Sequence, residues 1–181
     1  MRLFTAIDLP PEVTVNLEDL LRLLRPTARI HWSPPENLHI TTKFIGEWPE
    51  TRLGELKSAL AAMPPYGPFE VNIRWLGFMP NARAPHIFRC GVHSPRLANL
   101  VDATARVTDS LGIPREWRPF SPHLTLARIK DRDNVEALKQ ALARAPSEFG
   151  SFEARSFFLY LSQLRPTGSV YTKLAEFPLS S

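Results

Sequence analysis

The 181-residue sequence contains a single cysteine, Cys90. One cysteine excludes an internal disulfide framework and any CxxC metal or redox site, and a reducing cytoplasm is the simplest location. No apolar run approaches the roughly 20 residues that a membrane-spanning helix needs, so we expect no membrane association. The opening MRLFTAIDLPPEV places Asp8 within a short apolar stretch, which predicts a first strand and not a signal peptide.

The signatures of several common enzyme classes are also missing. The sequence has no GxGxxG, no GxxxxGKS/T, no GxSxG and no HExxH motif, which narrows the field of possible chemistry. No carboxylate lies at a ligand-like spacing from His123, and Cys90 is isolated. The sequence therefore indicates no metal site and no cofactor.

Composition and charge are those of an ordinary globular protein. Apolar residues make up 44% and charged residues 22% of the chain, which excludes extended disorder. The net charge of +4 is too mild to indicate nucleic acid by itself. Arginine supplies 17 of the 22 cations and its planar fork matches phosphate oxygens, although a compositional bias is the simpler interpretation. We expect one two-lobed domain over residues 1–181, monomeric and without an obligate protein partner.

Four segments have the apolar spacing of an amphipathic helix. Ser94 and Pro95 predict an N-cap and first helical position, and Asp133 with Glu136 resembles a capping box. Proline and glycine mark several of the ends. The predicted helices cover residues 13–24, 53–63, 94–111 and 133–142.

Between the helices lie segments that predict strands. Phe69, Val71, Ile73 and Trp75 alternate with polar residues, as expected for a half-buried strand. Strands and helices do not alternate one for one, so a doubly wound parallel sheet is not expected and an α+β fold with largely antiparallel sheets fits better. The other predicted strands cover residues 2–9, 38–45, 85–92, 122–129, 150–161 and 170–177.

A short motif occurs twice and carries the functional prediction. His39-Ile40-Thr41-Thr42 and His123-Leu124-Thr125-Leu126 are both H-x-T-x, 84 residues apart. In a strand, residues two apart project from one face and the residue between them faces the other side. Two such strands side by side would therefore present two imidazoles and two hydroxyls to one cleft.

This set of side chains suits the cleavage of a phosphodiester without a metal. A neutral imidazole takes a proton from the attacking water or hydroxyl, and an imidazolium gives one to the departing oxygen. Threonine hydroxyls hydrogen-bond the non-bridging phosphate oxygens, where charge must be held. We predict His39 and His123 as catalytic residues and Thr41 and Thr125 as substrate-binding residues. The spacing alone does not say which histidine is the acid.

The remaining histidines and aromatic residues near the motifs have simpler interpretations. His31, His86 and His93 have no threonine partner, so we interpret them as structural or surface residues. Three aromatic residues lie close to the motifs and could stack a base, but core packing is the simpler interpretation for each. They are Trp32, Trp117 and Phe120.

The repeated motif resembles that of the two-histidine phosphoesterase superfamily. Within it, the segments RLFTAIDLP, NLHITTKFIGE and RPFSPHLTLARI resemble those of RNA 2′,3′-cyclic phosphodiesterases, LigT-like proteins once named 2′-5′ RNA ligases. One departure is Thr42, where an apolar residue is more usual; it is expected to face away from His39 and leave the chemistry unaffected. The resemblance implies a bilobal fold with a pseudo-two-fold axis, helices on the outside and the histidines in the groove between lobes.

The resemblance also implies roles for individual residues. His39 would donate a proton to the leaving 3′-oxygen and His123 would activate water, so that the product ends in a 2′-phosphate. Arg128 matches the arginine of the family pattern HLTLAR, where a guanidinium could bind the phosphate or the terminal nucleotide. Strict alternation places position 128 opposite His123, so this role requires a β-bulge or the end of the strand.

Two other classes of function stay open at this stage. The same two histidines could join or cleave 2′-5′-linked RNA, or act on a small cyclic-phosphate nucleotide. A non-catalytic protein that binds RNA ends is the alternative from another class, although binding alone does not need a paired acid and base. In each case the expected partner is an RNA end or a small cyclic-phosphate nucleotide.

Overall fold

The computed structural model describes residues 1–180, in which nine strands form two separate sheets. The helices are α1 (Pro11–Leu24), α2 (Leu53–Ala61), α3 (Leu97–Ser110) and α4 (Glu136–Ala141), with 3-10 turns at Arg25–Thr27, Pro35–Asn37 and Glu50–Arg52. The strands are β1 (Arg2–Ile7), β2 (His31–Trp32), β3 (Ile40–Glu47), β4 (Phe69–Met79), β5 (Ile87–His93), β6 (His123–Arg128), β7 (Glu148–Ala154), β8 (Ser156–Arg165) and β9 (Gly168–Pro178).

Both sheets are antiparallel, which confirms the predicted α+β fold. The four-stranded sheet has the order β3-β1-β8-β9, and the five-stranded sheet has the order β2-β6-β5-β4-β7. The two H-x-T-x motifs therefore belong to different sheets. Strand β3 directly follows His39 and lies in the four-stranded sheet, and β6 begins with His123 and lies in the five-stranded sheet. The two motifs lie on the two halves of the molecule, as a two-lobed fold requires.

Two helices cross from one half to the other and tie the sheets together. Helix α1 follows β1 of the four-stranded sheet but packs against β7 of the other sheet, and α3 follows β5 of the five-stranded sheet but packs against β3. Asn16 on α1 donates a hydrogen bond to the carbonyl of Phe149 at 2.9 Å. One cluster of buried apolar side chains contains residues from both sheets, so the relative position of the sheets depends on a shared core.

Helix α1 follows its sequence pattern closely. It begins at Pro11, a position where proline is favoured because its missing N–H has no partner within the helix. The five apolar residues that carry its spacing are all buried, which gives the helix one continuous apolar face. These residues are Val13, Leu17, Leu20, Leu21 and Leu24.

Helix α3 differs from its prediction in its start and in its buried face. The predicted cap is wrong, because the helix begins at Leu97 and the Ser94 hydroxyl donates to the carbonyl of Glu70 at 2.7 Å. Thr104 and Thr108 are buried, whereas Val101 and Val107, which the apolar spacing predicts to lie inside, are only half-buried. The two threonine hydroxyls donate to carbonyls four residues earlier, at 2.8 and 3.0 Å, so neither polar group loses a partner on burial.

The predicted capping box of the last helix is also wrong. Helix α4 begins at Glu136, and the Asp133 carboxylate accepts from the N–H of Lys130 at 2.7 Å instead. The Asn134 side chain accepts from the N–H of Glu136 at 3.1 Å. Acidic residues compete for several nearby backbone donors, and the fold of the preceding loop decides which one they cap.

The segment predicted as one strand over residues 150–161 is two strands in different sheets. Strand β7 pairs with β4, and β8 pairs with β1. The chain changes sheet at Arg155, where no glycine or proline marks a break. Both strands are rich in aromatic residues, so the local pattern predicts β-structure throughout and does not show the change of partner.

Cys90 is fully buried in β5. Burial is the main cause that raises the pKa of its thiol to about 12, which keeps the thiol protonated and unreactive at neutral pH.

Among the described residues, no helix combines the length and the apolar character needed to cross a bilayer.

Thr42, which stands where an apolar residue is more usual, forms a buried hydrogen bond. Its hydroxyl lies 2.7 Å from that of Thr5, and both side chains are buried. Thr42→Val strands the Thr5 hydroxyl and should lower the free energy of unfolding by about 1–3 kcal/mol. The double variant Thr5→Val/Thr42→Val should recover most of that loss, measured by chemical denaturation. Two single costs that simply add would show that the hydroxyls are not coupled.

Candidate active site

A cavity of about 1280 Å³ is lined by residues of both sheets. The five residues predicted from the sequence all line it, so the fold brings the two H-x-T-x motifs to one groove. They are His39, Thr41, His123, Thr125 and Arg128.

The two histidines occupy equivalent positions. His39 lies immediately before β3, one residue outside the strand that the sequence predicted to contain it, and His123 is the first residue of β6. The Nδ1 atom of His39 is 3.1 Å from the carbonyl oxygen of Asn37, and that of His123 is 2.8 Å from the carbonyl oxygen of Ser121. A carbonyl only accepts, so each Nδ1 carries a proton and each Nε2 is the atom left for proton transfer.

A β-bulge three residues after each histidine decides what else lines the groove. Along β3 the register against β1 passes over Thr42, and along β6 the register against β5 passes over Leu126. The bulge in β6 reverses the alternation, so Arg128 lies on the groove side with His123. This is the irregularity that a phosphate-binding role for Arg128 requires. The equivalent residue five places after His39 is Phe44, which is 62% exposed and also lines the groove.

The two imidazoles differ in their charged neighbours. Burial lowers the pKa of His39, while the hydrogen bond to Asn37 and the Asp8 carboxylate raise it and Lys173 lowers it. Burial also lowers the pKa of His123, and the hydrogen bond to Ser121 raises it. Both charged neighbours of His123, the Arg89 and Arg128 guanidiniums, lower it further. His39 therefore has an anion to stabilise its imidazolium, whereas His123 faces two cations that favour the neutral ring.

Asp8 is the centre of a group that the sequence did not identify as functional. Its Oδ1 lies 3.7 Å from His39 Nε2, and its Oδ2 accepts from Lys173 Nζ at 2.7 Å. The Tyr160 hydroxyl also donates to Asp8, and its ring packs on His39 with 4.7 Å between centroids. The carboxylate is thereby held beside the imidazole.

The signals for these additional residues are weak in the sequence. Asp8 is an isolated acidic residue directly after the largely apolar β1, which is a usable signal. Tyr160 and Lys173 are cross-strand partners on β8 and β9 but lie more than 150 residues from Asp8 in the chain. Arg89 alternates with apolar residues of β5, and only its pairing with Thr125 shows that it lies on the same face of the sheet as the groove residues.

The aromatic residues near the motifs divide into two groups. Trp32 is half-buried: it packs edge-on against Phe88 and donates from its indole to the carbonyl of Ala28, as core packing predicts, and it also lines the groove. Trp117 and Phe120 are 86% and 38% exposed, so core packing is wrong for both. Phe120 lines the groove, because the segment before β6 carries it over the groove and not into the core.

The other three histidines lie in different surroundings. His31 is exposed and lines the groove, His86 is exposed outside it, and His93 lies against Trp75. Within residues 1–180, no three His, Cys, Asp or Glu side chains are grouped as metal ligands.

Comparison with known proteins places this geometry in a family. The family described as LigT like phosphoesterase matches residues 7–88 and 92–171, and each stretch contains one H-x-T-x motif. A Methanocaldococcus jannaschii protein named RNA 2′,3′-cyclic phosphodiesterase is 31% identical over 177 residues, covering 97% of this chain and 99% of the relative. A Thermus thermophilus protein of the same name is 34% identical, covering 99% of this chain and 90% of the relative.

Solved structures agree with the sequence matches. A crystal structure of a Thermus thermophilus protein has a TM-score of 0.84 at 31% identity and covers 99% of this chain and 98% of that one. Escherichia coli LigT in its apo form has a TM-score of 0.80 at 25% identity, with 99% and 98% coverage. The family resemblance noted from the sequence motifs is confirmed.

The charges around the imidazoles predict a selective change in titration. Asp8→Asn removes the anion that favours the His39 imidazolium, so the pKa of His39 should fall further below its ordinary value. The pKa of His123 should not change, because Asp8 is not among its neighbours. Titration of the imidazole C–H resonances by NMR measures both values. Asp19→Asn, on the exposed face of α1, is the control, and an unchanged His39 pKa in Asp8→Asn would contradict the assignment.

Proposed function

The chain belongs to the LigT-like phosphoesterase family, and we propose that it hydrolyses RNA 2′,3′-cyclic phosphate ends to 2′-phosphate ends. The observation that carries this proposal is the pair of imidazoles in one groove, one beside a carboxylate and the other beside two guanidiniums. A cyclic phosphodiester needs one acid and one base at its phosphorus. The relatives named RNA 2′,3′-cyclic phosphodiesterase support the choice of substrate.

His123 is the proposed base and His39 the proposed acid. Water attacks phosphorus and gives its proton to Nε2 of His123, whose neutral form is favoured by Arg89 and Arg128. As the new P–O bond forms, the bond from phosphorus to the 3′-oxygen breaks. That oxygen takes the proton from Nε2 of His39, whose protonated form Asp8 stabilises. The product carries a 3′-hydroxyl and a 2′-phosphate. The electrostatics support the same assignment of roles as the family resemblance.

The remaining groove residues hold the phosphate. Thr41 and Thr125 line the groove, and in the proposed mechanism their hydroxyls donate to the non-bridging oxygens, where negative charge is concentrated in the transition state. Arg128 adds a guanidinium on the His123 side. Since two imidazoles already supply the proton transfers, we propose that the reaction needs neither a metal ion nor a cofactor.

Substitution of each histidine tests the proposal directly. His39→Ala and His123→Ala should each lower the turnover of a cyclic-phosphate dinucleotide by a factor on the order of 10²–10⁴, the usual contribution of a positioned acid or base. His86→Ala removes an exposed histidine outside the groove and should leave turnover unchanged. Product analysis should show a 2′-phosphate, and thermal unfolding should show that all variants are folded.

Two results would contradict this proposal. Near-wild-type turnover in either folded histidine variant would show that the repeated motif is not catalytic, and binding without turnover in the wild-type protein would favour an RNA-end binder.

Activity should also survive excess EDTA. Loss in EDTA with rescue by one divalent ion would replace the two-histidine mechanism by a metal site.

Arg128 provides a separate prediction. Arg128→Ala should lower kcat/KM by about tenfold to a hundredfold, because a charged hydrogen bond worth ~1.5–3 kcal/mol is lost. Arg128→Lys should recover only part, because the planar fork is absent. Arg132→Ala, four residues on in an exposed turn, is the control for charge. Steady-state kinetics with the same dinucleotide measure kcat/KM for each variant. Wild-type values for Arg128→Ala would show that Arg128 does not bind the substrate.

A further inference from the structure

A second cavity, of about 600 Å³, lies on the five-stranded sheet and shares Ser121 with the catalytic groove. Its lining includes three basic side chains and no carboxylate. The basic residues are Arg74, Arg89 and His93. We call this cavity the Arg74 pocket, and the catalytic mechanism above does not use Arg74 or His93.

Strand pairing places the Arg74 pocket directly beside His123. Gly91 on β5 pairs with His123 on one side and with Arg74 on the other. Paired residues have their side chains on the same face of a sheet. Arg74, Gly91 and His123 therefore form a row across three strands, and the outer two are separated by two strand spacings, about 10 Å.

Buried nitrogen atoms of the pocket's basic side chains lack hydrogen-bond partners in the part of the chain that the structure describes. The Nε atoms of Arg74 and Arg89 and the Nε2 atom of His93 are buried and form no hydrogen bond with the described residues. No salt bridge within residues 1–180 involves either arginine. Buried donors without partners are rare in folded proteins because desolvation is then uncompensated. Two guanidiniums without a carboxylate partner in one pocket indicate an anionic ligand.

The pocket is also held in shape before any ligand binds. The Arg74 guanidinium lies 4.4 Å above the centre of the Trp75 ring, and that ring packs edge-on against His93 with 4.6 Å between centroids. Trp75 itself has a backbone φ of 72°. A positive φ is uncommon for a bulky residue and is associated with functional sites.

Gly91 makes room for the His93 ring in the row between Arg74 and His123. A Cβ atom at this position would come within 2.7 Å of the Arg74 carbonyl oxygen and 2.9 Å of His93 Nε2. The His93 ring thus occupies the space that any other residue at position 91 would need. A ligand that reaches from His123 to Arg74 therefore meets Nε2 of His93, which has no hydrogen-bond partner among the described residues.

We propose that the Arg74 pocket binds the phosphate on the 5′ side of the terminal nucleoside, so that the preferred substrate is an RNA end and not a free cyclic mononucleotide. This inference rests on the proposed function. A 2′,3′-cyclic phosphate closes the 3′ end of a chain, so the neighbouring phosphate can only be the one on the 5′-oxygen of the same nucleoside. One nucleoside separates the two phosphates, as the row of residues separates Arg74 from His123.

Three substrates that share one reacting group test this inference. They are adenosine 2′,3′-cyclic phosphate, the same nucleotide with a 5′-phosphate, and the dinucleotide ApA with a 2′,3′-cyclic end. For the wild-type protein, kcat/KM should be about tenfold or more higher for the two substrates that carry a 5′ phosphate, as expected for charged hydrogen bonds to arginine. The advantage should appear mainly in KM, because this phosphate does not react.

Arg74→Gln should abolish that advantage and leave turnover of adenosine 2′,3′-cyclic phosphate unchanged. Arg74→Lys keeps the charge and should retain part of it. The dependence of log kcat/KM for the dinucleotide on log salt concentration should become shallower by about one in Arg74→Gln. Arg22→Gln, which removes an exposed charge on α1, should behave as the wild type with all three substrates.

The outcomes separate this inference from the proposed function. Turnover of none of the three substrates by the wild-type protein would overturn both. Equal kcat/KM on all three, or an equal loss on all three in Arg74→Gln, would overturn the inference and leave cyclic-phosphate hydrolysis intact. A preference for the dinucleotide that the 5′-phosphorylated mononucleotide does not share would assign recognition to the second nucleoside and so overturn the phosphate site.

Discussion

The hydrogen bond from each imidazole Nδ1 to the carbonyl two residues earlier is the interaction on which the rest of the site depends. The carbonyls of Asn37 and Ser121 precede β3 and β6, so the sheet ladders do not use them and they accept from the histidines instead. Each bond orients its ring and places the proton on Nδ1. The two Nε2 atoms are left for chemistry in the same geometry, and any difference between them must come from the surroundings.

The surroundings are asymmetric although the scaffold repeats. Both strands have a bulge three residues after the histidine, but the residue that each bulge turns into the groove is Phe44 in one half and Arg128 in the other. Asp8 lies beside His39, and Arg89 lies near His123. An anion on one side and cations on the other divide two similar imidazoles into a proposed acid and a proposed base. The same excess of cations continues across β5 and β4 to the Arg74 pocket, so the groove is basic on the side where we propose that the RNA chain lies.

The separation of the two imidazoles depends on packing far from the groove. Helix α1 comes from the half that carries His39 and packs on the other sheet, and α3 makes the reverse crossing. Because each helix buries its apolar face on the opposite sheet, a shift of one half relative to the other would expose part of a single core. The shared core thereby keeps His39 and His123 in one groove.

The sequence by itself determined the features that have a local period or a local motif. These include the antiparallel α+β fold, the buried face of α1, the H-x-T-x pairs and the need for an irregularity before Arg128. The tertiary structure alone decided which carbonyl Ser94 bonds, where the segment around Arg155 changes sheet, which charges face each histidine and how Arg74 reaches the row beside His123. The reason is that hydrophobic periodicity follows from neighbours three or four residues apart in a helix and two apart in a strand. Charge proximity and strand register instead depend on contacts between residues such as Asp8 and Lys173, which only the folded chain brings together.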